Sequence, residues 1–214
     1  MMEEILRLDL TLFRLINGTW TSSWLDGGLS LIADFSLMKW PLLALGLSAL
    51  IWGGFRARLF LVLTALMLIL GDGGVNWAIK KSVNRPRPYQ AEEDVRRVKR
   101  EGLGYRVETV SKQPWERGRS MTSGHACNNF ALAFLATLLF SPWGRIMWLW
   151  AFLIAYSRVY TGDHYPSDVI ASFFVAITYS AVICCVVQFL WQHYGLRFTP
   201  KLYVRYPKLY ARSY

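Results

Sequence analysis

This 214-residue chain is poor in acid, in histidine and in cysteine: 14 Asp and Glu stand against 24 Lys and Arg, with 3 histidines and 3 cysteines. Carboxylates so few and so scattered form no cluster of hard oxygen ligands, and neither a metal nor any other cofactor is expected. Cys127, Cys184 and Cys185 all lie in apolar stretches. Adjacent cysteines seldom bridge, and no Cys/His metal spacing accompanies them, so a disulfide framework and a zinc site are both excluded. No internal repeat is evident. No basic run is interleaved with aromatics, so nucleic acid is not an expected partner. The opening "MMEEILRLDL" is acidic where a secretory leader is basic, and no cleavable leader is expected.

What the chain has is apolar sequence in blocks. Hydrophobic residues make up 54%, aromatics 15%, and the mean hydropathy is +0.25. Blocks of this kind, in place of amphipathic stripes, point to membrane spans. The net charge of +10 then suits lipid phosphates and anionic headgroups.

The pattern predicts an all-α, polytopic transmembrane bundle of five to six spans in a single domain, 1–214. Five segments carry it: about Leu37–Trp52, Leu59–Lys80, Ser123–Phe140, Met147–Tyr160 and Ser167–Trp191. Residues 1–35 read as interfacial helices. "ILRLDLTLFRLI" is amphipathic, with Arg7, Asp9 and Arg14 between apolar positions, and Asp26, Asp34 and Gly27-Gly28 make the following stretch a poor independent span. Trp20, Trp24, Trp40, Trp52, Trp143 and Trp191 fall near segment ends, as interfacial anchors do. The loop 82–122 holds ten Lys/Arg and six Asp/Glu, and its middle, "QAEEDVRRVKREG", reads as a solvated surface helix or a lid. Arg56, Arg58 and Arg145 share one side with the basic tail 193–214, which carries Arg197, Lys201, Arg205, Lys208 and Arg212. The positive-inside tendency makes that side cytoplasmic and puts loop 82–122 outside.

Alternation of the spans brings three polar clusters to one face: "KKSVNRPRP", "SMTSGH" and "SRVYTGDHYPSD". Together they offer Lys80, Arg85, Arg87 and Arg158 as cations, His125 and His164 as imidazoles, and Asp168 as a carboxylate. A phosphate satisfies such a set, because guanidinium groups bind its oxygens in pairs. Ser123 or Thr122 is a candidate cap for one helix, and Pro166 suits the first position of another. Both helix N-termini then face the same anion. Neutral His164 is a candidate nucleophile at phosphorus, with its protonated nitrogen held by Asp168. His125 is the candidate acid, then base. Lys80, Arg87 and Arg158 would offset the charge of the transferring group. Asp72, Asn76 and Lys80 make a polar stripe facing a wet cavity or a neighbouring helix. Lys81 reads as snorkelling, Arg85 as a contact to headgroups or to an outer phosphate, and Asp163 receives no chemistry.

The motifs Lys80-x6-Arg87-Pro88, Ser123-Gly124-His125 and Ser157-Arg158-x5-His164-x3-Asp168 resemble the three signatures of the type 2 phosphatidic acid phosphatase (PAP2) superfamily. That group holds lipid phosphate phosphatases, undecaprenyl-diphosphate, phosphatidylglycerophosphate and lipid A phosphatases, glucose-6-phosphatase and vanadium haloperoxidases. The resemblance implies Lys80, Arg87, Ser123, Gly124 and Arg158 as phosphate ligands, His164 as nucleophile, Asp168 as its partner and His125 as acid. It also implies a metal-independent lipid phosphatase of the cytoplasmic membrane with its site outside. One departure is Thr122, where the family usually has proline before Ser-Gly-His. Another is the span count, since membrane members usually have six. A lipid phosphotransferase, a non-catalytic binder of anionic lipid and a soluble vanadate-dependent peroxidase are the competing readings. Oligomeric state is not legible.

Overall fold

The computed structural model describes residues 2–102, 104–112, 114–115 and 117–210, so Arg212 of the basic tail lies outside the described residues. The chain opens with α1 (Met2–Arg14), which runs through a π turn at Leu15–Thr19, then α2 (Ser23–Ala33) and α3 (Phe35–Trp52). Next come α4 (Phe55–Met67), a π-helical stretch at Leu68–Asn76 and α5 (Trp77–Val83), which together make one long rod. A single turn, α6 (Pro88–Ala91), precedes a hairpin of β1 (Val95–Glu101) and β2 (Gly104–Val110). The remaining helices are α7 (Gly124–Phe140), α8 (Met147–Tyr160), α9 (Pro166–Phe198) and α10 (Pro200–Arg205).

All five predicted apolar segments are helical, but five to six spans are not what their lengths show. Phe55–Ala91 and Pro166–Phe198 are long and apolar enough to cross a bilayer. The pair Ser23–Ala33 and Ser36–Trp52, bent by 49°, adds a third if it counts as one span. With 17 residues, α7 is about 25 Å long, and α8 has 14 residues, both short of the ~20 that hydrocarbon demands.

Helix α7 is the central post. Most of its inward positions are small, with Ala126, Cys127, Ala131, Ala133 and Ala136 buried beside Phe130, Leu135 and Leu139. Small side chains let neighbouring backbones come close, which is how helices pack where lipid removes the usual hydrophobic drive. Leu63 and Met67 of α4, Ala151 and Ala155 of α8, and Ala176, Tyr179 and Ile183 of α9 complete this core. Outward positions are just as apolar: Leu43, Leu45, Ile51, Leu149, Phe174 and Phe189 are all exposed. An apolar exterior around a small-residue interior fits a lipid environment.

The all-α expectation is corrected at loop 82–122, whose middle is a β-hairpin, not a surface helix. Its antiparallel ladder runs from Val95↔Val110 to Glu101↔Gly104. Tyr105, Val107 and Thr109 alternate at strand period, and Gly102 has φ +57° at the turn. These features favour a hairpin over the helix suggested by charge density alone. The hairpin is not loose. Val95 packs with Phe13, Val159 and Tyr165, and Val98 packs with Leu29 and Tyr160.

The N-terminal helices are fastened to the bundle by buried polar groups. Asp26 pairs with Arg96 and accepts from the Tyr160 hydroxyl at 2.7 Å. Asn17 donates to the carbonyls of Arg96 (2.7 Å) and Tyr160 (2.8 Å) and accepts from the Arg96 N–H at 3.0 Å. One buried amide thus clamps the hairpin onto the α8–α9 turn. Each such group would cost free energy if left unpaired, so the register of α1 and α2 is specified.

Candidate active site

The turn from Ser157 to Asp168 is built by its own backbone. The carbonyl of Arg158 accepts from the N–H groups of both Asp163 and His164 at 3.1 Å. Gly162 takes φ +81°, and a Cβ there would sit 2.7 Å from the Arg96 carbonyl oxygen, so only glycine admits the hairpin so close. Pro166 opens α9, as expected, and Asp168 in the first turn accepts the Tyr165 N–H at 2.9 Å. This arrangement throws His164 inward, where it is 3% exposed.

The proton-bearing nitrogen of His164 is not held as expected. Its Nδ1 lies 2.7 Å from the Ser120 carbonyl oxygen and 3.8 Å from Asp168 Oδ2. A carbonyl only accepts, so Nδ1 carries the proton and Nε2 keeps a free lone pair. The second distance is that of an ion pair, not of a hydrogen bond. Asp168 is instead committed elsewhere. Arg85 reaches its Oδ1 at 2.7 Å, while the Ser120 hydroxyl and the Tyr165 N–H donate to its Oδ2. Ser120 therefore joins the two: its hydroxyl serves Asp168 and its carbonyl serves His164. Burial pushes the His164 pKa below the ordinary imidazole value; Asp168 opposes this, and the charges of Arg87 and Arg158 add to it.

Arg85 faces inward, not toward headgroups. It also binds Asp9 Oδ2 at 2.7 Å and Ser167 Oγ at 2.7 Å, and stacks 4.0 Å above the Tyr165 ring. Asp9 in turn accepts from the N–H and the hydroxyl of Ser167. The first helix of the chain is thus hydrogen-bonded to the first turn of α9.

Arg87 and Arg158 come together at Asp163, at 3.6 Å and 2.6 Å. Arg97 of the hairpin joins them at 3.6 Å. Lys80 arrives from the other side. A Cβ at Gly124 would lie 3.4 Å from Lys80 Nζ and 2.8 Å from Asp72 Oδ1, so both side chains lie against the start of α7. Of the polar stripe, Asn76 turns to its neighbours: it donates to Asp72 and accepts from Thr122 and Cys127. Thr122 is thereby spent on the α4–α5 rod, and the cap of α7 is Ser123, whose Oγ accepts from Ala126 N–H. That hydroxyl is buried and keeps its proton for another acceptor. His125, in the first turn of α7, is exposed and within electrostatic reach of Arg158 and His164.

Of the eight predicted site residues, His164, Arg87 and Arg158 gather around one turn, and Lys80, Ser123, Gly124 and His125 sit at the start of α7. Asp168 is beside them but turned to Arg85. Sequence reasoning missed Ser120, Asp9 and Arg97, left Asp163 without a role and aimed Arg85 at headgroups or an outer phosphate. Only Arg85, inside "RPRP", carried a signal. Among the described residues, no three of His, Cys, Asp and Glu converge to hold a metal.

This geometry has relatives. Over 205 residues, 95% of this chain and 90% of the other, the sequence is 30% identical to YbjG of Escherichia coli (strain K12), which carries the name of an undecaprenyl-diphosphatase. It is 33% identical over 119 residues to the lipid A 4'-phosphatase of Bacteroides thetaiotaomicron, covering 54% of this chain and 48% of that one. The crystal structure of Aquifex aeolicus LpxE superposes with a TM-score of 0.61 at 26% identity, over 82% of this chain and 94% of that one. The fold is also that of the transmembrane PAP2-type phosphatidylglycerolphosphate phosphatase of Bacillus subtilis, with a TM-score of 0.54, 17% identity and 84% of each chain covered. The PAP2 superfamily model matches residues 58–192, the stretch that supplies His125, His164, the three cationic motif residues and Asp168. By that match and by the similarity to YbjG along its length, the chain belongs to the PAP2 superfamily.

Proposed function

We propose that this protein is a membrane lipid phosphatase that removes a terminal phosphate from a lipid phosphate or diphosphate through a phosphohistidine at His164. The observation that carries the reading is the His164 ring: buried, its Nδ1–H donated to the Ser120 carbonyl, and beside the arginine cluster at Asp163. In the first step Nε2 bonds to phosphorus and the bond from phosphorus to the leaving oxygen breaks. His125 delivers a proton to that oxygen. In the second step His125 takes a proton from water, the water oxygen bonds to phosphorus, and the P–N bond breaks to release orthophosphate and restore His164. Arg87, Arg158 and Lys80 hold the equatorial oxygens, aided by Ser123 and the Gly124 N–H at the start of α7. Asp168 stabilises the imidazolium from 3.8 Å and fixes Ser120, which orients the ring.

The relatives' names favour undecaprenyl diphosphate and lipid A as substrates, with YbjG similar over the greater length. The bundle sits in the cytoplasmic membrane, with loop 82–122 and the site on its outer face, in keeping with the basic tail on the other side. The purified chain in detergent should release orthophosphate from one or more of undecaprenyl diphosphate, phosphatidylglycerophosphate, phosphatidic acid and lipid A. The His164→Ala variant should lose at least ~10³-fold in kcat. Turnover that survives this change, or no release from any lipid of the panel, would end the reading.

A further inference from the structure

Asp163 precedes His164 by one residue and fills an unspecified position of the third motif, yet three elements converge on it. Arg158 of α8 reaches Oδ2 at 2.6 Å, and the Thr161 hydroxyl donates to the same oxygen at 3.2 Å. Arg87, which precedes α6, and Arg97, on β1, each stand 3.6 Å from Oδ1. Burial opposes its ionisation, but Arg158, His164, Arg87 and Arg97 outweigh burial, and its pKa lies below the ordinary carboxylate value. The lowered value favours the ionised carboxylate, which is 14% exposed.

One carboxylate does not neutralise three guanidinium groups, so the cluster keeps a positive excess. Its donors are not used up either: the Nε–H groups of Arg97 and Arg158 are buried without a hydrogen-bond partner. Nor are the two longer contacts hydrogen bonds. The hairpin delivers its arginine with a fixed approach, because Arg97 stacks 3.9 Å above the Tyr89 ring, over which Arg87 also lies at 5.9 Å. Like charges brought this close repel, and a shared counter-ion relieves the repulsion.

We propose that Asp163 is a positioning residue that holds Arg87, Arg97 and Arg158 as one group and, by offsetting part of their charge, keeps the site from retaining orthophosphate. The proposal rests on the phosphatase reading of the site. A phosphatase must grip a phosphoryl group through two steps and then release it as an anion. Full neutralisation would weaken the grip, and no counter-ion would trap the product. A carboxylate held by one short and two long contacts lies between those limits.

Replacement by the amide, Asp163→Asn, keeps the shape and removes the charge. The detergent-solubilised full chain is titrated with inorganic phosphate by calorimetry, and orthophosphate is tested as a competitive inhibitor of lipid phosphate hydrolysis. Asp163→Asn should bind orthophosphate at least about tenfold more tightly than the parent. Its kcat and KM should fall together, so that kcat/KM changes less than either. Asp163→Glu, which restores the charge, should return all three toward the parent values. Arg97→Gln, with the carboxylate in place, should weaken orthophosphate binding, and this arm decides the matter if Asp163→Asn fails to fold. Unchanged or weaker binding in Asp163→Asn, or unchanged binding in Arg97→Gln, overturns the proposal. So does a loss of kcat with KM unaltered. If the parent binds orthophosphate but hydrolyses no lipid, the phosphatase reading falls, while the calorimetric arm still judges Asp163.

Discussion

Two aspartates flank His164 within six residues, and they are held in opposite ways. Asp168 is fully buried, and its hydrogen-bond donors are all close: Arg85 on one oxygen, the Ser120 hydroxyl and the Tyr165 N–H on the other. Asp163 is partly exposed and has one short contact to arginine and two at 3.6 Å. The first is saturated by groups that cannot leave without unfolding the turn. The second is under-supplied relative to the cations around it. Charge inside a membrane protein can serve as a fixed joint or as an adjustable one, and contact geometry tells which.

That contrast breaks most easily at Asp168. Asp168→Ala leaves the half-buried Arg85 with only Asp9 as a counter-ion, and removing one partner of a fully buried pair costs about 3–5 kcal/mol, an upper bound here. A large fall in the thermal midpoint in detergent is expected, together with loss of turnover. A change confined to kcat would mean that Asp168 is as adjustable as its neighbour. Asp9 tests the far end of the same joint. Asp9→Asn and Ser167→Ala should each destabilise, and their double-mutant cycle should show coupling of about 0.5–3 kcal/mol.

Acid titrates the pair through the ring between them. The folded-state pKa of His164 is lowered, chiefly by burial, so the folded chain binds its proton less readily than the unfolded chain. Its contribution to stability is complete above the unfolded value of about 6.5 and is lost as pH falls from there through the lowered folded value. The nucleophilic neutral form follows the lowered value, so the acid limb of kcat/KM should lie below about pH 6.5. An acid limb above it would show that arginine charge and burial do not govern the ring.

Smaller effects sharpen the comparison. Ser120→Ala removes one hydroxyl from Asp168 but keeps the carbonyl that orients His164, at a cost of about 1–3 kcal/mol for the bond left unmade. Turnover should fall while the pH profile keeps its shape. Lys99→Ala, on the solvent side of the hairpin, breaks an exposed pair with Glu108 and should change neither stability nor activity measurably.

Much of this was legible from residue types and spacing. The five apolar segments became helices near their expected bounds, and the motif residues at the ends of those segments come together. What the sequence hid follows from how polar contacts work. Ser120 acts through its backbone, and a carbonyl has no residue signature. Asp9 looked like one charge on an amphipathic stripe, because nothing local reveals a partner 158 residues away. The hairpin was obscured by Arg96, Arg97, Lys99 and Arg100, whose charge masked the alternation of β2. Span number follows less directly from the sequence: periodicity finds helices, whereas crossing depends on length.

The link between Asp9 and Ser167 also sets an order of events in the making of the protein. Translation delivers Asp9 first and Arg85 long afterwards, and Asp168 only once the last long helix has emerged. Until then the nascent chain has no anchored imidazole, since His164 too is made late. The contacts that tie the turn of His164 to the first helix can therefore form only after α9 has emerged.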